Sequence, residues 1–303
     1  MRTLRIGTRD SQLAMWQANT VKSLLEEKGY KAVLVPVKSE GDLDLVTPLY
    51  AMGVEGVFTK TLDAYLLSDK IDIAVHSMKD VPTQLAQGIA QAAVLPRASH
   101  HDILVFKEGS SKAEQFKKIG TGSVRRKALL MHKYPGVEVV NLRGNVQTRL
   151  NKLSESDWDA AVFAEAGLTR VALLPSQYEV LDWMLPAPAQ GAIMVVCKEG
   201  DAFCLEACHQ LNDEATAMAV KVERDFLKTL MGGCSTPISA LATIGNNRIA
   251  FKGSICSLDG STLIEHEATF ALEQWNEAGA IAGKAVLDKG GAAIVAQIRN
   301  KQA

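Results

Sequence analysis

No stretch of this chain is apolar over the about 18 residues that a membrane span needs, and its first residues, MRTLRIGTRD, hold no apolar segment of signal-peptide length. The reading is a cytoplasmic protein with no membrane partner. Charge of neither sign dominates: 33 Lys and Arg face 34 Asp and Glu, for a net charge of −1. A general nucleic-acid binder is usually basic overall, so that class is disfavoured. Neither a P-loop nor a GxGxxG pattern is present, which weakens the case for a nucleotide ligand. Repeats and low-complexity segments are absent as well. Cysteine is scarce and odd in number: Cys197, Cys204, Cys208, Cys234 and Cys256. An odd set in a chain without a leader argues against a disulfide framework. Cys204 and Cys208 could share a helix face, but with only His209 nearby they do not complete a zinc site and read as buried or half-buried thiols.

What is present is an ordinary globular composition, 47% hydrophobic and 22% charged over 303 residues, enough for two or three domains at roughly 100–200 residues each. The first third alternates strand and helix signals. LRIG reads as a strand, and Ser11 suits the N-cap of a helix whose stripe runs through Leu13, Trp16, Leu24 and Leu25 to a stop at Gly29. AVLVPV is a strand whose proline points to a sheet edge. GDLDLVTPLYAMGVEGV is a long irregular stretch, FTKTLDAYLLS a helix and IDIAVHS a buried strand. The middle third continues with DILVF, SVRRKALLMHKY, VEVVNL, NVQTRLNKL and AAVFAEAG, and then a proline-punctuated crossing, LPAPAQGAIMVV, leads into another strand. Alternating strands and helices imply an open, largely parallel α/β sheet with both faces covered. From about Asn212 the style changes to one long helix, a small antiparallel meander with GNN and DG turn signals, and two closing helices. That makes two α/β domains and one α+β domain.

In open α/β sheets, ligands bind at the carboxyl ends of strands against helix N-termini. Arg9 and Ser11, then His76, Lys79 and Asp80, then Thr121, Ser123, Arg125 and Arg126, then Arg143, Asn145 and Arg149, and finally Arg170 all follow strands. An arginine at a helix start opposes the helix dipole, so this repeated placement calls for an anionic partner. Solvated surface pairing explains any one of them. The set of arginines as a whole points instead to a ligand with several carboxylates, which arginine forks hold bidentately. Asp80 is the best candidate acid: among cations it stays ionised and can stabilise developing positive charge or hold a ligand N–H. A salt bridge to Lys79 or a loop cap is the plainer alternative. His76, alone at a strand end, reads as structural. Cys234, in LMGGCSTPIS, is displayed on a loop by its glycines and stands as nucleophile, metal ligand, anchor or ordinary thiol.

The runs IGTRDSQLAMWQA, AVHSMKDVPT, GTGSVRRKALL, NLRGNVQTRL, AGLTR, LPAPAQGAI and LMGGCSTPIS, in that order and across nearly the whole chain, resemble the porphobilinogen deaminase (hydroxymethylbilane synthase) family. The resemblance implies a transferase of tetrapyrrole (haem) biosynthesis. It joins four porphobilinogen molecules head to tail with release of ammonia, then hydrolyses the product to hydroxymethylbilane. It implies a dipyrromethane cofactor carried by Cys234 through a thioether, with Asp80 as the catalytic carboxylate. Lys79, Asp80, Thr121, Ser123, Arg125, Arg126, Arg143, Gly144 and Asn145 are then cofactor-binding residues. Arg9, Ser11, Lys60, Arg149, Arg170 and Gln190 are then substrate-binding, and no metal is involved. The implied fold is α/β: two periplasmic-binding-protein-like doubly wound domains plus a small α+β C-terminal domain with an antiparallel three-stranded sheet. The boundaries are 1–97 with 189–211, 98–188, and 212–303, and the implied state is a monomer.

Departures from the family pattern cluster in one region. Where the family commonly reads GGKGLF this chain has GVEGVF, which places Glu55 at a usual lysine, and Glu40-Gly41-Asp42 stands where RGD is common. Asp10 and Gln12 also depart. Acids facing carboxylates are unfavourable, so the expectation is that the 40–60 loop engages substrate less directly here, or that Lys38 or Lys60 compensates. Two other readings compete. A ligand-binding protein of the periplasmic type would leave the Cys234 domain unexplained. A cysteine hydrolase needs a His and an orienting acid near Cys234, and GGCSTP lacks the local signatures of one.

Overall fold

The computed structural model describes residues 2–38, 56, 58–107, 116–230 and 236–302. Cys234, Glu40 and Glu55, and with them the loop-charge expectation, lie outside the described residues. The chain runs β1 Leu4–Arg9, α1 Gln12–Glu27, β2 Ala32–Val37, α2 Lys60–Leu67, β3 Ile73–Ser77, a 3-10 turn Met78–Asp80, β4 Ile89–Val94, β5 Asp102–Phe106, β6 Lys118–Gly120, α3 Val124–Lys133, β7 Glu138–Val140, α4 Val146–Glu155, β8 Ala160–Ala164, α5 Glu165–Arg170, β9 Tyr178–Val180, β10 Ile193–Lys198, α6 Ala202–His209, α7 Glu214–Thr229, β11 Ile238–Gly245, β12 Arg248–Cys256, β13 Leu263–Ala271, α8 Trp275–Val286 and α9 Ala292–Gln302. The described residues fall into two compact units, one from the residues up to Ala98 with Gly191–Ala217, the other from Ser99–Gln190 with Met218 onward.

The first unit holds a five-stranded sheet in the order β2-β1-β3-β10-β4. Ser11 starts α1 by accepting the Ala14 N–H on its Oγ at 3.4 Å, and Gly29, at φ +87, ends that turn in the left-handed region. Between them Ala18, Val21 and Leu25 face the sheet and pack with Leu4, Ile6, Ile73 and Val195, joined from α6 by Cys204, Ala207 and Cys208. The alternate face of β1 meets α2: a Cβ on Gly7 would fall 2.2 Å from Ile71 Cδ1 and 3.1 Å from Leu62 Cδ2. Helices therefore cover both faces of the sheet. Cys204 and Cys208 are wholly buried, as read from the sequence, and so is Cys197; burial pushes the Cys197 thiol up to about 11 and the Cys208 thiol up to about 12.

The second unit repeats the plan in the order β7-β6-β8-β5-β9. Along β5, Leu104 and Phe106 pack with Leu129 and Leu130 of α3. Ile103 and Val105 face the other way, with Leu153 of α4 and Leu168 of α5. The same unit carries the antiparallel sheet β11-β12-β13, whose first hairpin turns through Asn246 and Asn247 at φ 50 and 57, the pair of left-handed residues that a type I′ turn demands. Phe226 of α7 meets Phe251 of β12, ring centroids 5.1 Å apart, in its core. Gly279 lets α8 approach α7, because a Cβ there would fall 2.2 Å from the Val222 carbonyl oxygen.

Three expectations change. The α/β sheets are mixed, not largely parallel: β10 runs antiparallel to β3 and β4, and β5 antiparallel to β8 and β9. β10 enters its sheet from beyond the Ser99–Gln190 segment of the other unit, so the parallel βαβ rule does not govern it. AAVFAEAG stops being a strand at Ala164, where α5 begins. Finally β4, β6, β9 and α6 are additional elements that the hydrophobic periodicity does not announce.

Candidate functional site

In the first unit β1 and β3 are parallel neighbours, Ile6 opposite Ile73 and Gly7 opposite Ala74, so their carboxyl ends share one edge. Arg9 closes β1, its guanidinium carbon 4.1 Å from the centroid of the Phe58 ring, in cation–π range. Lys79 and Asp80 sit on the 3-10 turn that follows β3, closed by the Val81 N–H donating to the Met78 carbonyl at 3.1 Å. The sheet thus brings Arg9, Ser11, Lys79 and Asp80 to one edge. Beneath them the buried Gln17 amide donates to Ser77 Oγ at 2.8 Å and Thr8 Oγ1 donates to the Ala14 carbonyl at 3.0 Å, tying β1, α1 and β3 together. Lys60 opens α2 as an exposed residue.

In the second unit β6 pairs in parallel with both β7 and β8. Their carboxyl ends therefore present 121–123, 141–145 and 165–170 along one edge. Ser123 Oγ accepts the Arg126 N–H at 3.4 Å, and Asn145 Oδ1 accepts the Thr148 N–H at 2.9 Å, so both act as N-caps. The two loops approach closely: a Cβ on Gly122 would fall 2.5 Å from the Leu142 carbonyl oxygen. Gly144 holds φ +117, a value costly for any other residue, and its carbonyl accepts Arg149 Nε at 2.7 Å. Arg143 and Thr121 are both buried. Burial pushes the Arg170 guanidinium down to about 10.

Arg125 and Arg126 sit differently from the other arginines. Both are buried against the carboxylate of Asp102, which opens β5 and is 0% exposed. Arg125 Nη2 reaches Oδ2 at 2.5 Å, and Arg126 binds Oδ1 through Nη2 at 2.7 Å and Nε at 3.1 Å. Each also reaches one main-chain carbonyl, Arg125 Nη1 to Leu185 at 2.6 Å and Arg126 Nη1 to Val162 at 2.9 Å. Gln190, placed in the substrate site by the resemblance, is 1% exposed and donates to Asp102 Oδ1 and to the His100 carbonyl, each at 2.8 Å. Burial on its own would raise the Asp102 carboxyl; the two guanidiniums outweigh it and hold it well below the usual carboxylate range. Two cations against one anion leave a surplus positive charge, and Arg125 Nε is buried with no hydrogen-bond partner.

Sequence reasoning missed Asp102. A signal existed: it is the one charged residue heading the otherwise apolar run DILVF, and a charge buried at the start of such a strand must be paired. Glu223 was also missed. It is wholly buried and accepts the N–H groups of Ala189 and Ala242 at 2.7 and 2.8 Å, an anchor beside Gln190. Among the described residues no cluster of three or more His, Cys, Asp or Glu side chains could hold a metal.

The described geometry suits a ligand with several carboxylates: strand-end cations, helix N-termini and a buried guanidinium donor still to be satisfied. Comparison with known proteins points the same way. Residues 4–206 match the family model described as porphobilinogen deaminase, dipyromethane cofactor binding domain, and residues 217–288 match porphobilinogen deaminase, C-terminal domain. A porphobilinogen deaminase of Syntrophotalea carbinolica is 41% identical over 301 residues, covering 97% of this chain and 96% of the relative. A chloroplastic porphobilinogen deaminase of Oryza sativa is 43% identical over 278 residues, covering 88% of this chain and 77% of the relative. Among solved structures, the methionine binding protein MetQ covers 69% of this chain and 89% of its own at 14% identity and a TM-score of 0.43, an overlap too loose to add to the fold read from the sheets.

Proposed function

The chain belongs to the porphobilinogen deaminase family, and we propose from that premise that it condenses porphobilinogen head to tail, with loss of ammonia, on a dipyrromethane anchored at Cys234. The observation that carries the reading is the match of both family domains along the chain. The class is that of a transferase in tetrapyrrole biosynthesis.

Dipyrromethane carries carboxylates, and the second unit fits it: strand-end donors, a surplus positive charge and the unpartnered Arg125 Nε. The residues to hold it are Lys79, Asp80, Thr121, Ser123, Arg125, Arg126, Arg143, Gly144 and Asn145. When bound, the group supplies the pyrrole carbon to which the first substrate unit is joined. Arg9, Ser11, Lys60, Arg149 and Arg170 pair with substrate carboxylates, using forks that match their geometry. Gln190 acts indirectly, by holding Asp102. Asp80 accepts a pyrrole N–H and offsets the positive charge that develops on the ring as the C–N bond of the aminomethyl group breaks, its nitrogen leaving as ammonia and its methylene staying on the pyrrole to form the bridge to the next ring. A carboxylate held on a short closed turn changes position little during that step, which is the condition for electrostatic stabilisation without reorganisation cost.

The chain is proposed to divide into three working domains, 1–97 with 189–211, 98–188 and 212–303, and to act as a cytoplasmic monomer without nucleic-acid partners. In support, none of the described helices is long and apolar enough to cross a membrane, and the net charge is −1. The test is incubation of the purified protein with porphobilinogen, measuring ammonia and linear tetrapyrrole together. Four ammonia per tetrapyrrole support the reading; tight binding of porphobilinogen without ammonia release supports the binding-protein alternative.

A further inference from the structure

Behind the turn that carries Lys79 and Asp80 the first unit encloses a cavity of about 20 Å³, whose lining includes Thr59, Asp63, His76, Val81 and Pro82. Its wall thus draws on both sides of the Met78–Asp80 turn: His76 before it, Val81 and Pro82 after it. The volume exceeds the roughly 10–15 Å³ that a single water-sized guest requires.

The polar lining is Thr59, Asp63, His76 and the exposed Gln84. His76 is 6% exposed, and its Nε2 is buried with no hydrogen-bond partner. Burial, with the Arg9 charge adding to it, pushes the imidazole down to about 4, so it is neutral at physiological pH. In the tautomer protonated at Nδ1, Nε2 is a bare acceptor. Asp63, on α2, also lines the cavity. Burial raises its carboxyl above the ordinary value, opposed by a hydrogen bond from Thr59, and among the described residues no cation pairs with it. Arg9 acts on His76 as a charge without lining the cavity. An orphaned buried nitrogen is costly, and a half-buried carboxylate without a cation adds to that cost. The guest that relieves both is water-sized, positively charged and a donor in several directions. Sodium and potassium ions are hard and prefer oxygen ligands, so an imidazole nitrogen suits an N–H donor better.

We propose that this cavity is a binding site for ammonium, with Asp63 as its counter-ion and His76 Nε2 and Thr59 as further acceptors. The inference rests on the deaminating reading above, because that reaction releases one ammonia at each condensation and so supplies the guest. It places a stop for the small product directly behind the turn bearing Asp80. Bound ammonium then props that turn, and high ammonium slows turnover through product retention.

The test uses the holoenzyme. Proton-detected nitrogen NMR with ¹⁵N-ammonium chloride reads a bound ammonium ion directly, because burial slows its proton exchange. The expected result is a discrete bound signal in the wild type that is lost in Asp63→Asn and in His76→Leu, with ammonium chloride inhibiting turnover at least about tenfold more strongly than potassium or sodium chloride at equal ionic strength. No bound signal in the folded wild type, or equal inhibition by all three salts, overturns the proposal. If Asp63→Asn fails to fold, the wild-type salt comparison and His76→Leu still decide. Failure to convert porphobilinogen at all would sink the deaminase reading, while the NMR signal would still report on the cavity.

Discussion

Asp102 Oδ2 lies 2.5 Å from Arg125 Nη2, with the two side chains 0% and 4% exposed. A buried ion pair of this kind contributes little over a hydrophobic replacement, yet breaking it by removing one partner is costly, because the other charge is left stranded. Asp102 also holds Arg126 and Gln190, so its loss strands two guanidiniums at once. Asp102→Ala is therefore expected to lose about 3–5 kcal/mol of stability, measured by urea unfolding. A loss below about 1 kcal/mol would show that water replaces the carboxylate without penalty.

The contact between 121–123 and 141–145 leaves no room at Gly122. Gly122→Ala would place a Cβ 2.5 Å from the Leu142 carbonyl oxygen, main chain that cannot rotate aside. The expected cost is about 1–3 kcal/mol, together with weakened binding of carboxylate ligands as Arg143 shifts. Unfolding and KM are the measurements; an unchanged KM would separate Arg143 from the ligand.

These two cases show why the fold was more legible than the roles of its charges. The edge position of β2 follows from Pro36, the first meander turn from Asn246 and Asn247, and the helix starts from Ser11, Ser123 and Asn145, all local chemistry. Short strands such as Lys118–Gly120 and Tyr178–Val180 have too few residues to show a period. The inward turn of Arg125 and Arg126 depends on Asp102, more than twenty residues earlier, and no local pattern announces so distant a partner. The order of the family motifs is what made the function readable.

His76 adds a pH dependence. Folded, its imidazole is pushed down to about 4 from the ordinary 6.5. Between these values the unfolded chain holds a proton that the folded chain lacks, so the stability contribution rises with pH across that window and is level above it. The slope from this one group approaches about 1.4 kcal/mol per pH unit. His76→Phe is expected to flatten the wild-type curve between about pH 4.5 and 6.5 in unfolding titrations; identical slopes would mean that the imidazole is solvated.

Asp80→Asn keeps the shape of the turn and removes its charge. If Asp80 offsets positive charge in the transition state, kcat falls about 100-fold or more while KM changes far less. Steady-state kinetics on porphobilinogen decide it, and a rise in KM at constant kcat would recast Asp80 as a binding residue only.

The central claim is that Cys234 carries a dipyrromethane. The intact mass of the purified, denatured protein, followed by peptide mapping, tests it most directly. The account predicts a mass excess of two linked pyrrole units confined to the peptide containing Cys234. An unmodified Cys234 that stays unmodified after incubation with porphobilinogen would contradict it.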